Sequence, residues 1–239
     1  MTNSREALKY LVEEVSKPTI ETINGEIYSD KKLHLINHNP MAESMHMNTL
    51  TGLVDYIKSN TDKMPEKMFV HVVSPTKVCL KSMLDDERER EVLADVEAMV
   101  PYFRFGEFIG HEEFCINLQS KFIENKDRDL VLKFAGTVED GTLAEYGDDG
   151  VSQKATVKTG IASKADAKVP NPVNLKPFRT FLEVEQPASD FVFRMKSNNG
   201  ISCAIFEADG GAWKYEAMQN IKKYLKEQLK GVGGVTVIS

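Results

Sequence analysis

Apolar residues at Ala7, Leu8, Leu11, Val12 and Val15 recur three and four apart between Asn3 and Pro18, which predicts an amphipathic helix packed by one face. Asn3 with Glu6 offers a capping-box-like start, and Pro18 ends the stripe. Short runs around Ile20 to Tyr28 and Leu33 to Ile36, punctuated by Asn24-Gly25 and Ser29-Asp30, suit small strands. Leu50, Leu53, Val54 and Ile57 repeat with helical spacing ahead of Pro65. Met68 to Val73 and Lys77 to Met83 flank Ser74-Pro75-Thr76 and predict a hairpin inside a sheet. Asp85 to Glu97 carries seven acids against two arginines, with Val92, Leu93 and Val96 on one side, and predicts an acidic helix with a solvated face. Phe114, Cys115, Leu118 and Phe122 continue a further helical stripe, and Leu130 to Phe134 reads as a strand.

The second half alternates in charge. Residues 139–150 hold Glu139, Asp140, Glu145, Asp148 and Asp149 with no base, the pattern of an exposed loop. The next stretch reverses sign, with Lys154, Lys158, Lys164, Lys168, Lys176 and Arg179 around Pro170, Pro172 and Pro177. It predicts an extended, partly irregular arm over about 139–180 that reaches across a neighbour. Phe191 to Lys196 and Ile201 to Phe206 flank Asn198-Asn199-Gly200, a hairpin signal because Asn and Gly tolerate the positive φ of tight turns. From Asp209 or Gly210 a terminal helix follows, with Trp213, Ala217, Ile221, Tyr224 and Leu225 on one face, lysines 222, 223, 226 and 230 toward its end, and Gly231 as C-cap. Without an internal repeat, these elements predict a single α+β domain over 1–239: a mixed or antiparallel sheet, packed amphipathic helices and a long arm-like loop.

Composition narrows this picture. At 239 residues, 41% hydrophobic and 28% charged, the chain is long enough to bury a core without staples. Three widely spaced cysteines, Cys79, Cys115 and Cys203, make neither a disulfide framework nor a CxxC clip, and a reducing cytoplasm suits them. The acids among the first 18 residues do not fit a secretory signal, and no window has the apolar length of a bilayer span. A net charge of −6 argues against a nucleic-acid coat or an anionic membrane as partner.

Candidate chemistry is sparse. His34 and His38 have a metal-ligand spacing on a helix, but LHLINHNP is strand-and-turn sequence, and surface histidines fit it better. Glu183 and Glu185 alternate in FLEVEQP, with Leu182 and Val184 as the inward face of a strand. With Glu207 and Asp209 they form a carboxylate set that could take Mg²⁺ for phosphoryl chemistry, against the plainer reading of a solvated edge strand. Tyr102, Phe103, Phe105 and Phe108 around Arg104 suit a stacking platform for single-stranded DNA, or a core strand. The cysteines sit in apolar surroundings that favour inert packing, and no motif implies a cofactor. The fork of Arg179 suits a carboxylate, either Glu183 or Glu185 of the same chain or one on another subunit.

VPNPVNLKPFRTFLEVEQPASDFVFRMK followed by CAIFEADGGAW resembles the YfdQ-like family of phage and prophage proteins, which share a Pro-rich run, an aromatic-Arg-Thr-Phe step and a Glu-x-x-Gln-Pro segment. Here these are Pro170, Pro172, Pro177, Phe178, Arg179, Thr180, Phe181, Glu183, Gln186 and Pro187. The resemblance spans roughly residues 150–217 and implies a phage or prophage gene and a product made in the host cytoplasm; it carries no activity. The expected function is non-catalytic binding as a homo-oligomer, with the charged arm contributing and a host protein or small nucleotide as partner. A metal-dependent enzyme acting on nucleotides or nucleic acid and a single-stranded DNA-binding protein are the alternatives.

Overall fold

The computed structural model describes residues 2–33, 41–86, 88–143, 154–158, 164–168, 171–197 and 200–239, with side chains from residue 4 onward except those of 138–168. They fall into two units, Met1–Met41 and Ala42–Ser239. The first holds helix α1 (Thr2–Ser16) and a hairpin of β1 (Ile20–Ile23) and β2 (Glu26–Ser29). Asn24 and Gly25 both take positive φ, 56° and 87°, as a two-residue hairpin turn requires. The predicted stripe is present, but Leu8, Leu11, Val12 and Val15 are 59–72% exposed. Ile20, Ile23 and Ile27 are also more than half exposed. Among the described residues, therefore, the expected packing of this helix by one face is not met: one helix and one hairpin are too little chain to enclose a core. His34, His38 and the run to Ile36 lie outside the described residues.

The second unit is built on two sheets. The larger has the order β14-β4-β5-β6-β3, from β3 (Met45–Met47), β4 (Met68–Ser74), β5 (Lys77–Ser82), β6 (Val92–Glu97) and β14 (Val235–Ile238). Its centre is antiparallel, and both edge strands pair in parallel. Helices α2 (Leu50–Ser59) and α5 (Ala212–Gln228) supply Leu50, Leu53, Val54, Ile57, Ile221 and Leu225 to a first core with Val70, Val72, Val78, Leu80, Ala94 and Val96. Thr49 caps α2 by accepting from the Gly52 amide, and Asn60 closes it in the left-handed region. The smaller sheet, β11-β12-β13-β7, comprises β7 (Ile109–Gly110), β11 (Val173–Leu175), β12 (Ser189–Ser197) and β13 (Ile201–Glu207). It packs on α3 (His111–Lys121) and α4 (Lys126–Thr137) around Phe114, Leu118, Val131, Phe134, Leu175, Phe191 and Phe193. The α+β class stands, with both mixed and antiparallel sheets.

Three local expectations are corrected. Val92–Glu97 is a central strand, not part of an acidic helix: Ala94 and Val96 are fully buried at a period of two, so the alternation outweighs the acids. Leu130–Phe134 lies within α4, where Val131, Phe134 and Ala135 make a helical face and Asn125 accepts from the Arg128 amide at 2.7 Å as an N-cap would. The FLEVEQP segment is a turn, not a strand, and Leu182 points outward at 71% exposure. The arm region contributes β8 (Val138–Leu143), β9 (Lys154–Lys158) and β10 (Lys164–Lys168), an antiparallel three-stranded sheet. The side chains of Lys154, Lys158, Lys164 and Lys168 lie outside the described residues. Backbone pairing of β12 with β13 meets the hairpin expectation, with Ser197 opposite Ile201, while Asn198 and Asn199 are outside the description.

Candidate functional site

The stretch from Pro177 to Ser189 joins the two cores. The Phe178 amide donates to the Lys121 carbonyl at the end of α3, the Thr180 hydroxyl to the Pro75 carbonyl in the β4–β5 turn, and Asn220 of α5 to the Glu185 carbonyl. Phe181, 1% exposed, enters the first core. A chain that crosses between cores without a ladder must satisfy its backbone otherwise, and Gln186 does so. Its Oε1 accepts from the Arg179 and Thr180 amides at 3.0 and 3.1 Å, and its Nε2 donates to the Phe181 carbonyl at 2.9 Å. Gln186 is 3% exposed, so this turn is organised around one buried amide side chain.

Arg179 sits beside it, 7% exposed. Its Nη1 donates to Glu207 Oε1 at 3.0 Å and its Nη2 to the Ser189 hydroxyl. Ser189 in turn donates to Asp209 Oδ2 at 2.6 Å, and Asp209 accepts from the Gly211 and Trp213 amides at the start of α5. The guanidinium carbon lies 3.9 Å from the centroid of the Trp213 ring, a cation–π contact in a desolvated place. Burial pushes the Arg179 pKa down to about 10, with Glu207 and Asp209 pulling the other way, so the group is charged at neutral pH. Burial alone would raise the Asp209 carboxyl, but the Ser189 hydroxyl, the two amides and Arg179 together hold it below the ordinary carboxylate value. Arg179 is thus an intrachain bond, and its partner is Glu207 rather than Glu183 or Glu185.

The remaining predicted residues go to separate places. Glu183 accepts from the Thr51 amide at the N-terminus of α2 at 3.2 Å, where helix geometry favours a carboxylate. Glu185 pairs with Lys176 at 3.2 Å. Only Glu207 and Asp209 of the four acids share an environment, and Arg179 and Ser189 stand between them. Among the described residues no group of three or more His, Cys, Asp or Glu side chains is placed to hold a metal ion. The aromatic run is divided: Phe103 and Phe105 pack on Phe122, Phe105 stacks on Phe191, Phe108 lies under Lys196, and Tyr102 is 76% exposed. That run is coil rather than strand. The Cys79 thiol donates to Asp95 at 3.0 Å, and burial with that bond pushes its pKa up to about 11; burial raises Cys203 to about 12 and also raises Cys115. All three remain thiols at neutral pH.

Sequence reading missed Ser189 and Trp213 as members of this network. Trp213 is the single tryptophan of the chain, and a cation–π partner for a nearby arginine was the available signal; a lone serine carries none. Among the described residues no helix is long and apolar enough to cross a membrane. No family model, curated protein or solved structure matches the chain.

Proposed function

We propose that the chain is a non-catalytic binding protein of phage or prophage origin that acts in the host cytoplasm as a homo-oligomer and captures a host factor. The observation that carries the reading is the N-terminal unit. Four apolar residues on α1 and three isoleucines of the hairpin are each more than half exposed, a density that marks interaction surfaces rather than ordinary solvent-facing protein. Residues 1–41 carry five bases and six acids, so the unit is nearly neutral and selects neither a basic nor an acidic partner. A second copy of the same unit offers equal apolar area and no net repulsion, which is the condition for an isologous pair.

The polar centre supports the same reading from the other side. Arg179, Glu207, Ser189 and Asp209 bond to one another, and Lys176 to Glu185, so these groups serve the protomer. We place the assembly contact on α1 and its hairpin; the side chains of Lys154, Lys158, Lys164 and Lys168 in the arm lie outside the described residues. Light scattering on the full chain after gel filtration tests this. Wild type is expected at a multiple of 26.8 kDa, and Leu11→Glu, an exposed site whose change costs the protomer little, at 26.8 kDa. A wild-type mass of 26.8 kDa across a wide range of concentrations overturns the reading.

A further inference from the structure

One face of α5 carries Gln219, Lys222, Lys223 and Lys226, spaced so that all four fall within about 100° of the helix circumference, and Lys230 follows in the turn just beyond the helix end. Together with Glu227 they border an open groove of about 520 Å³. None of the four lysines lies within ion-pairing distance of a carboxylate among the described residues. The helix dipole accounts for lysines in the last turn, Lys226 and those after it, but not for Lys222 and Lys223.

The strand alongside completes the geometry. Gln219 Nε2 and Lys222 Nζ both reach the Ser239 hydroxyl, at 3.4 and 3.1 Å, which places this lysine face next to β14. β14 is the outermost strand of the five-stranded sheet. Its inner ladder begins with the Met68 amide donating to the Gly234 carbonyl at 2.9 Å. Alternation along a parallel strand then turns the peptide groups of Thr236 and Ile238 toward β4, and those of Val235 and Val237 outward. An edge strand with free peptide groups takes another strand, and beside it runs a row of uncompensated ammonium groups.

From this juxtaposition we infer that the lysine-lined groove of α5, together with the free edge of β14 beside it, binds an extended acidic peptide of a partner protein. The peptide adds as a sixth strand to the Val235–Ile238 edge and sets its carboxylates against Lys222, Lys223 and Lys226. Strand addition provides the backbone bonds, and the lysines select the charge. The inference rests on the binding reading above but not on the oligomer, since the groove, lined by residues between 219 and 230, and the β14 edge belong to one protomer. A nucleic acid would use the lysines alone, with no call on the strand edge.

Fluorescence anisotropy with the full chain tests it. The probe is a labelled peptide of about eight residues alternating Glu and Val, compared with the same peptide N-methylated on alternate backbone amides and with a single-stranded oligonucleotide of about 12 nucleotides. The expected result is saturable binding of the plain peptide, weakened roughly tenfold or more by N-methylation and by K222E/K226E. Leu11→Glu, whatever its mass, is expected to bind the peptide as wild type does, which separates this site from the assembly claim. Circular dichroism and Tm establish that K222E/K226E is folded; Lys226 is exposed, and Lys222 is half-buried and outside the core. No binding of the plain peptide, equal binding of the N-methylated one, or tighter binding of the oligonucleotide would each overturn the inference.

Discussion

Arg179 shows how one side chain ties two cores together. A buried guanidinium is costly unless its charge is matched and its donors are used; here Glu207 and Ser189 accept from Nη1 and Nη2 and the Trp213 ring stacks on the group, while Nε is buried without a hydrogen-bond partner. Lysine keeps the charge but loses the planar fork and the stacking on Trp213. Arg179→Lys should therefore destabilise the chain by about 2 kcal/mol, below the buried-pair range because Glu207 keeps 37% of its side-chain surface in water. A fall in Tm of roughly 4–8 °C with no change in assembly mass is the expected result. An unchanged Tm, or a lost oligomer at unchanged Tm, would move Arg179 out of this role. The sequence made the residue stand out through its place in the FRTFLEVEQP run, but not its partner: Glu207 is 28 residues away on a strand whose register depends on the neighbouring hairpin. Gln186 was visible only as part of the same run, because nothing local says that an amide will take the place of a strand ladder.

At the scale of elements, periodicity was readable wherever it competed with nothing. The β4–β5 hairpin, α2, the β12–β13 pair and α5 lie where the apolar spacing and turn residues put them. Reading failed where composition masked the period. In VLADVE the acids occupy the open face of a strand, and in KDRDLVLKFAGT four apolar residues in a short window imitate a strand within a helix. The joint between α5 and β14 depends on one glycine. Gly234 has φ of +77°, and a Cβ there would lie 1.7 Å from the Glu66 carbonyl oxygen, backbone that has no free side-chain end to move. Gly234→Ala is expected to cost on the order of 3 kcal/mol and to release β14 from β4. Amide exchange reports it directly: the Met68 amide, bonded to the Gly234 carbonyl, should lose its protection while amides in β12 and β13 keep theirs. Retained protection at Met68 would show that the turn relaxes around the new methyl.

For the whole molecule, the two units differ in how they use apolar residues. Residues 42–239 enclose two cores with aromatic and aliphatic side chains at or near zero exposure, whereas the unit of residues 1–41 displays its apolar residues outward. Periodicity announced α1 but not that its stripe would lack a cover, because a hydrophobic pattern reports which face seeks burial and not which chain supplies it. In the proposed assembly a second copy supplies that cover, leaving the charged groove of α5 for a different partner.

The most direct measurement is the distance between two α1 helices in solution. A spin label on Val12→Cys, 64% exposed, in a Cys115→Ser background leaves the buried Cys79 and Cys203 unlabelled. Double electron–electron resonance on the full chain should then give a defined intermolecular distance of no more than about 30 Å, since packed helix axes lie about 10 Å apart and each label adds its own reach. A signal with no dipolar modulation beyond that of a dilute monomer, at concentrations where the protein is folded, would contradict the claim that this chain covers its apolar face with a copy of itself.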